Sequence, residues 1–306
     1  MSQLPLSRRI AASPYVVLVL PPLFWAGNAV VGRVAMADMS PFALSFWRWA
    51  IALAVLLPFT ITNTLAAWPV IRPRLGRYFV LGSLSVGLYN TFLYMALQTT
   101  EAINATLVGA VMPLVIMVLS LVVLREPLGM WRSVGLVASV AGVALVIARG
   151  NLGALAALEL HRGDSLMLLA VLAWGVFSVL LRRWPVEVTA PVFVTMQIAM
   201  GLIVVTGLYV GDLATGGGAF PLTGETFAII AYTALFPALG AFFAWNYGVA
   251  KVGANVAGFY TNLVPLFTAL LAALLLNEAV RWFHGVGLGL IFLGIGLATL
   301  KGPAAR

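Results

Sequence analysis

Inside stretches that are otherwise apolar, the chain keeps a small set of amides, hydroxyls and aromatic rings at helical spacing. Trp25 and Asn28 lie three apart and Asn90 and Tyr94 four apart, so each pair shares one helix face, and Trp174 with Ser178 repeats the arrangement later in the chain. Tyr89, Trp245, Asn246, Tyr260 and Asn262 occupy similar surroundings. An amide or hydroxyl in hydrocarbon needs a partner, so these groups are expected to face an interior cavity. Rings there stack on an organic side chain while amides hold a carboxylate and an amine, which is the chemistry of reversible binding to a small zwitterionic or neutral substrate. The same residues also have a structural reading: Trp and Tyr near span ends anchor at membrane interfaces, and lone asparagines join helices.

Other chemistries are disfavoured by what the chain lacks. The nine acidic residues, Asp38, Glu101, Glu126, Glu159, Asp164, Glu187, Asp212, Glu225 and Glu278, all map to loops or helix ends. A mid-membrane carboxylate, the usual device for binding a cationic drug or carrying a proton, is therefore not expected. Phosphorylated substrates want Lys or Arg deep in a bundle, and only Arg48 comes near, about two turns into its span. Its long stem is expected to snorkel to the outer interface, with a cavity-facing position as the alternative. His161 and His284 are the only histidines and fall in or near loops, and there is no cysteine. With no Ser/His pair, carboxylate dyad, metal cluster or nucleotide-binding loop evident, neither an enzyme nor an ATP-driven pump is expected, and no metal or cofactor.

Positioning uncharged polar groups in this way requires a membrane scaffold. The sequence is 62% hydrophobic and only 8% charged, with a mean hydropathy of +1.07, and no soluble core hides that much apolar surface. A bilayer does, because a spanning helix satisfies its own backbone and needs about 20 apolar residues to cross. Ten spans are expected, at 14–35, 41–60, 76–97, 102–124, 131–149, 165–184, 189–211, 224–247, 254–276 and 282–301, with the first read as a permanent helix and not a cleaved signal. With the N-terminus inside, twelve basic residues fall on the inner side and four on the outer, so both termini are expected in the cytoplasm. The net charge of +8 is scattered between spans and marks orientation, not a nucleic-acid partner; the bilayer is the expected partner, and monomer and homodimer both stay open.

The spans also come as two copies of one five-span pattern. Pro113, Glu126, Gly135 and Gly142 recur as Pro265, Glu278, Gly287 and Gly294, each pair separated by the same 152 positions. An odd number of crossings per copy inverts the second relative to the first, which gives an all-α membrane protein of two inverted repeats, 1–150 and 151–306. A proline in mid-span removes a backbone hydrogen bond, so Pro113 and Pro265 are expected as bends or hinges. Glu126 and Glu278 are expected to set interfacial depth or to pair with Arg132 and Arg281. Gly135, Gly142, Gly287, Gly289, Gly294 and Gly296 are expected to mark a close packing face or a dimer face.

Trp25-Ala26-Gly27-Asn28 with Arg33, Pro41 with Arg48, Tyr94 before the fourth span, then Pro113, Glu126, Gly135 and Gly142 together resemble the EamA repeat of the drug/metabolite transporter superfamily. The second half resembles it again through Trp174-Gly175 with Arg182, Tyr247 with Ala250 and Ala254, then Pro265, Glu278, Gly287 and Gly294. Within the superfamily the likeness is to bacterial ten-helix exporters of amino acids and metabolites. It implies a secondary transporter of the inner membrane, and an inverted pair of hinges at the two prolines is expected to open one side while closing the other. One departure is that Arg48 has no basic counterpart, Gln197 and Ile198 standing at the matching place.

Overall fold

The computed structural model describes residues 13–125, 130–151, 161–184, 186–252, 260–261 and 263–299, and all regular structure among them is helical. Ten rods follow one another: α1 (Pro14–Ala35), α2 (Pro41–Ala66), α3 (Trp68–Leu97), α4 (Ala102–Val123), α5 (Met130–Ile147), α6 (Arg162–Arg183), α7 (Ala190–Ala214), α8 (Gly224–Gly248), α9 (Leu263–Leu275) and α10 (Trp282–Thr299). Seven of them, all but α5, α9 and α10, are long and apolar enough to cross a membrane over their described lengths. Local chemistry sets the starts. Ser40 accepts from the Ala43 N–H at 3.0 Å ahead of Pro41, whose missing N–H costs nothing in a first turn. Thr223 and Thr226 bond each other's backbone in a capping box before α8.

Two boundaries differ from expectation. The Pro69–Arg77 stretch, expected as a break, is helical: α3 begins at Trp68 with Pro69 in its first turn and passes through one 3-10 turn at Arg72–Arg74. A proline at a helix start is compatible with helix, and Pro69 followed four residues later by Pro73 reads as a loop when only sequence is considered. The α2 helix likewise runs on to Ala66, with Pro58 inside it.

Packing reproduces the duplication. The α1–α9 contact has its mate in α6–α4, and α3–α7 in α8–α2, while α2–α7 and α5–α10 map onto themselves. Close approach in the α5–α10 seam depends on glycine. A Cβ on Gly142 would lie 2.7 Å from the Gly287 carbonyl, one on Gly294 would collide with Ser139 Oγ, and Ser139 Oγ itself donates to the Ile291 carbonyl at 3.1 Å. A Cβ on Gly289, by contrast, would meet open space, so that glycine is not part of the seam.

The bundle is tighter at one end. Call the end carrying the Asp38 turn the Asp38 face. Every residue from Ala102 to Val108 at that end of α4 is buried, whereas Val115 to Leu119 further along are only half-buried. Cross-helix ties concentrate there. Arg33 donates to the Leu97 carbonyl, Thr100 Oγ1 donates to Asp164 Oδ1 at 2.7 Å, and the Glu278 carboxylate accepts from the Ala102 and Ile103 N–H groups at 2.9 and 3.1 Å. Glu278 therefore caps α4 instead of pairing with Arg281, because a helix start offers unsatisfied N–H donors and positive potential to an anion. Glu126 lies outside the described residues. His284 lies next to a loop, as expected, but inside the helix. Buried in the first turn of α10, its Nδ1 accepts from the Arg281 N–H, which leaves the ring proton on Nε2 to donate to Asn104 Oδ1 at 3.0 Å.

Both expected hinge positions border a helix irregularity or a helix start. α4 loosens into turns at Ala110 and Val111, and Pro113 sits in the first turn of the following segment Met112–Leu124. Pro265 is buried near the start of α9.

Candidate functional site

The centre of the site is a residue expected at the interface. Arg48, the eighth residue of α2, is 3% exposed, so the snorkelling reading is wrong. Its Nη1 donates to Asn28 Oδ1 on α1 at 3.1 Å, and to Asn90 Oδ1 and Tyr94 Oη on α3 at 2.6 and 2.7 Å. The Tyr94 hydroxyl in turn donates to Asn28 Oδ1 at 2.8 Å, which leaves its lone pairs facing the guanidinium. The guanidinium lies 4.7 Å from the centre of the Trp49 ring, within cation–π range.

Helix irregularity aims these groups. α3 widens into a π-helical stretch at Ser83–Tyr89, and α8 does the same at Ala234–Gly240, the corresponding place in the second half. In α8 the cause is visible in sequence, since Pro237 has no N–H to give. In α3 the side chains of Ser83, Ser85 and Thr91 bond the carbonyls of Phe79, Leu81 and Gly87 at 2.6–2.7 Å, competing with the regular ladder. Such stretches are common at functional sites. Immediately beyond the one in α3 come Asn90 and Tyr94.

Residues next to the cluster in sequence, Tyr89 beside Asn90 and Trp25 one turn before Asn28, make ring pairs across helices. Tyr89 meets Trp174 of α6 at 5.0 Å between ring centroids, and Trp174 meets Phe177 at 5.1 Å. Trp25 of α1 meets Trp245 of α8 at 5.8 Å. Tyr232 Oη reaches the Phe24 carbonyl at 3.5 Å through a gap kept open by Gly27, where any Cβ would collide with that hydroxyl.

Of the residues singled out in the sequence, Asn28, Asn90 and Tyr94 thus converge on one atom, and Trp25, Tyr89, Trp174 and Trp245 form the ring pairs. Ser178 and Asn246 do not join the cluster through their donors: Ser178 Oγ bonds the Trp174 carbonyl and Asn246 Nδ2 the Phe242 carbonyl, each at 2.8 Å one turn back. Tyr260 is half-buried and outside these ring pairs, and Asn262 lies outside the described residues. At the matching place in the second half, where Gln197 and Ile198 stand, Gln197 donates to Ser85 Oγ at 2.6 Å, so the charge is on one side only of the pseudosymmetric pair. Sequence reading missed Arg48 as the centre. The signal was present as three polar residues, Asn28 on the first span and Asn90 and Tyr94 on the third, in otherwise apolar surroundings.

Comparison with known proteins agrees with this architecture. The chain matches the EamA-like transporter family over residues 12–148 and again over 161–300. It is 27% identical over 289 residues to an uncharacterized transporter of Archaeoglobus fulgidus, covering 94% of this chain and 97% of that one. It is 23% identical over 283 residues to the uncharacterized transporter YyaM of Bacillus subtilis, covering 92% of each. A solved crystal structure shares the fold, with a TM-score of 0.62 at 20% identity over 94% of this chain and 96% of the other. Two matched copies spanning nearly the whole sequence, on a helical bundle with a polar centre inside it, make this chain a multi-pass membrane transporter belonging to the EamA-like transporter family.

Proposed function

We propose that the protein is a secondary transporter that exports small metabolites, foremost amino acids with aromatic or large neutral side chains, across the inner membrane by alternating access. The observation that carries this is the pairing of rings on the helices that hold the buried polar centre, Trp25 of α1 with Trp245 and Tyr89 of α3 with Trp174. Such walls take an aromatic or aliphatic body by stacking and exclusion of water, while the polar centre fixes its orientation. The likeness in sequence motifs to the aromatic amino-acid exporter YddG supports the same substrate class. Burial concentrated at the Asp38 face supports a carrier closed there, and the charge bias supports reading that face as the outer one, with both termini in the cytoplasm. The inverted units 1–150 and 151–306 then exchange roles, with Pro113 and Pro265 as the bending points.

Counterflow in proteoliposomes tests the reading. Preloaded unlabelled phenylalanine should drive saturable uptake of labelled phenylalanine, and Trp25→Ala should weaken it at unchanged protein level. Uptake that rises linearly with concentration, or currents far above carrier turnover, would refute a carrier.

A further inference from the structure

Among the described residues, the buried cation in this site has no anion. The ion pairs among them are Arg74–Glu187 and His161–Asp164, and neither involves Arg48. Seven of the nine acidic residues are described and none approaches it; the other two, Glu126 and Glu159, belong to stretches between spans. The groups that accept from Arg48, on α1 and α3, are two amides and one phenol, all neutral. All three hydrogen bonds use Nη1, while Nε is buried and has no partner. A guanidinium withdrawn from water with only neutral acceptors keeps its full charge in a medium of low dielectric, where an opposite charge is strongly attracted. Its planar fork of donors matches a carboxylate in particular.

We propose that Arg48 is the anchor for a carboxylate on the transported molecule, and that the site selects monocarboxylates with an aromatic or branched aliphatic body, the α-amine of an amino acid being dispensable. This rests on the transport reading above and narrows it. The single positive charge complements one carboxylate. A phosphate dianion would need more cations than the described site holds, and an ammonium group finds no carboxylate there among the described residues. The Trp25–Trp245 and Tyr89–Trp174 ring pairs receive the body attached to that carboxylate.

The test is competition in proteoliposomes containing the full chain, using three molecules that share one ring: phenylalanine, 3-phenylpropanoate without the amine, and phenylalanine amide without the carboxylate. Labelled 3-phenylpropanoate should show saturable counterflow, phenylalanine should compete with it, and the amide should compete at least tenfold more weakly. In Arg48→Gln the acid should lose its advantage over the amide, and Arg48→Lys should restore part of it. An amide that competes as well as the acid, or an Arg48→Gln protein that still prefers the acid, overturns the anchor while leaving a carrier in place. Absence of saturable counterflow for every member of the set removes the transport reading itself. Because the competition series uses the unmodified protein, it decides the question even if Arg48→Gln fails to fold.

Discussion

Glu278 offers the clearest quantitative handle on how the Asp38 face stays shut. Its carboxylate, in the connection between α9 and α10, accepts two N–H groups at the start of α4 and so joins the two halves of the molecule at that face. Removing an N-terminal cap costs about 1 kcal/mol, and losing the favourable meeting of an anion with the helix dipole about 0.3–1 kcal/mol more. Glu278→Ala should therefore weaken closure by about 1–2 kcal/mol, which raises the ratio of open to closed molecules roughly 5- to 30-fold. The natural chain has no cysteine, so a single Val108→Cys, fully buried in α4 beneath this cap, reports opening through its reaction rate with a membrane-impermeant thiol reagent added to the Asp38 side. Glu278→Gln keeps an acceptor oxygen but no charge and should fall between the parent and Glu278→Ala. Equal rates in parent and Glu278→Ala, or a faster rate in Glu278→Gln than in Glu278→Ala, would refute the reasoning.

Other outcomes follow from the same geometry. Export of a monocarboxylate with no co-transported proton moves one charge, so a potassium-diffusion potential of about 100 mV should support a gradient of about 50-fold in liposomes, equivalent to about 2.3 kcal/mol; a gradient indifferent to potential would contradict this. Trp174→Ala deletes ring contacts with Tyr89 and Phe177 and should raise the half-saturation concentration about two- to tenfold, at about 0.5–1.5 kcal/mol for a ring contact, with little change in maximal rate. Gly142→Ala drives a methyl against the Gly287 carbonyl and should destabilise the protein by about 1–3 kcal/mol in detergent melting, whereas Gly289→Ala should be silent. Arg74→Gln breaks a solvent-exposed ion pair with Glu187 and should change stability by less than about 1 kcal/mol.

The fold was legible in the sequence to a large degree, because each of its main constraints leaves a one-dimensional trace. Span number follows from apolar length, and the duplication from the recurrence of Pro113, Glu126, Gly135 and Gly142 at one fixed interval. The α5–α10 seam could be read from three of its glycines, although Gly289 points elsewhere. The site was legible only as an inventory. Asn28, Asn90 and Tyr94 were marked as needing partners, but sequence gives depth along a helix and not which neighbour stands opposite. Arg48 lies 20, 42 and 46 positions from the three groups that hold it, and a residue two turns from an interface has enough stem to reach water in any unpacked picture. His284 was placed near a helix end, and only the fold reveals Asn104 across from it. Glu278 shows the same limit, since the free N–H groups it caps belong to a helix 175 residues away.

The widened stretch in α3 has a consequence for how the cluster can be dismantled. A π turn holds about one residue more than an α turn, so whatever follows it is rotated by roughly 100° relative to an unbroken α-helix. Asn90 and Tyr94 follow directly after Ser83–Tyr89, and their azimuth toward Arg48 is therefore a matter of phase, set by a surplus residue upstream of them. Tightening that stretch by one residue would swing both groups off the guanidinium without unfolding the helix, and the matching stretch at Ala234–Gly240 gives Trp245 and Asn246 the same dependence.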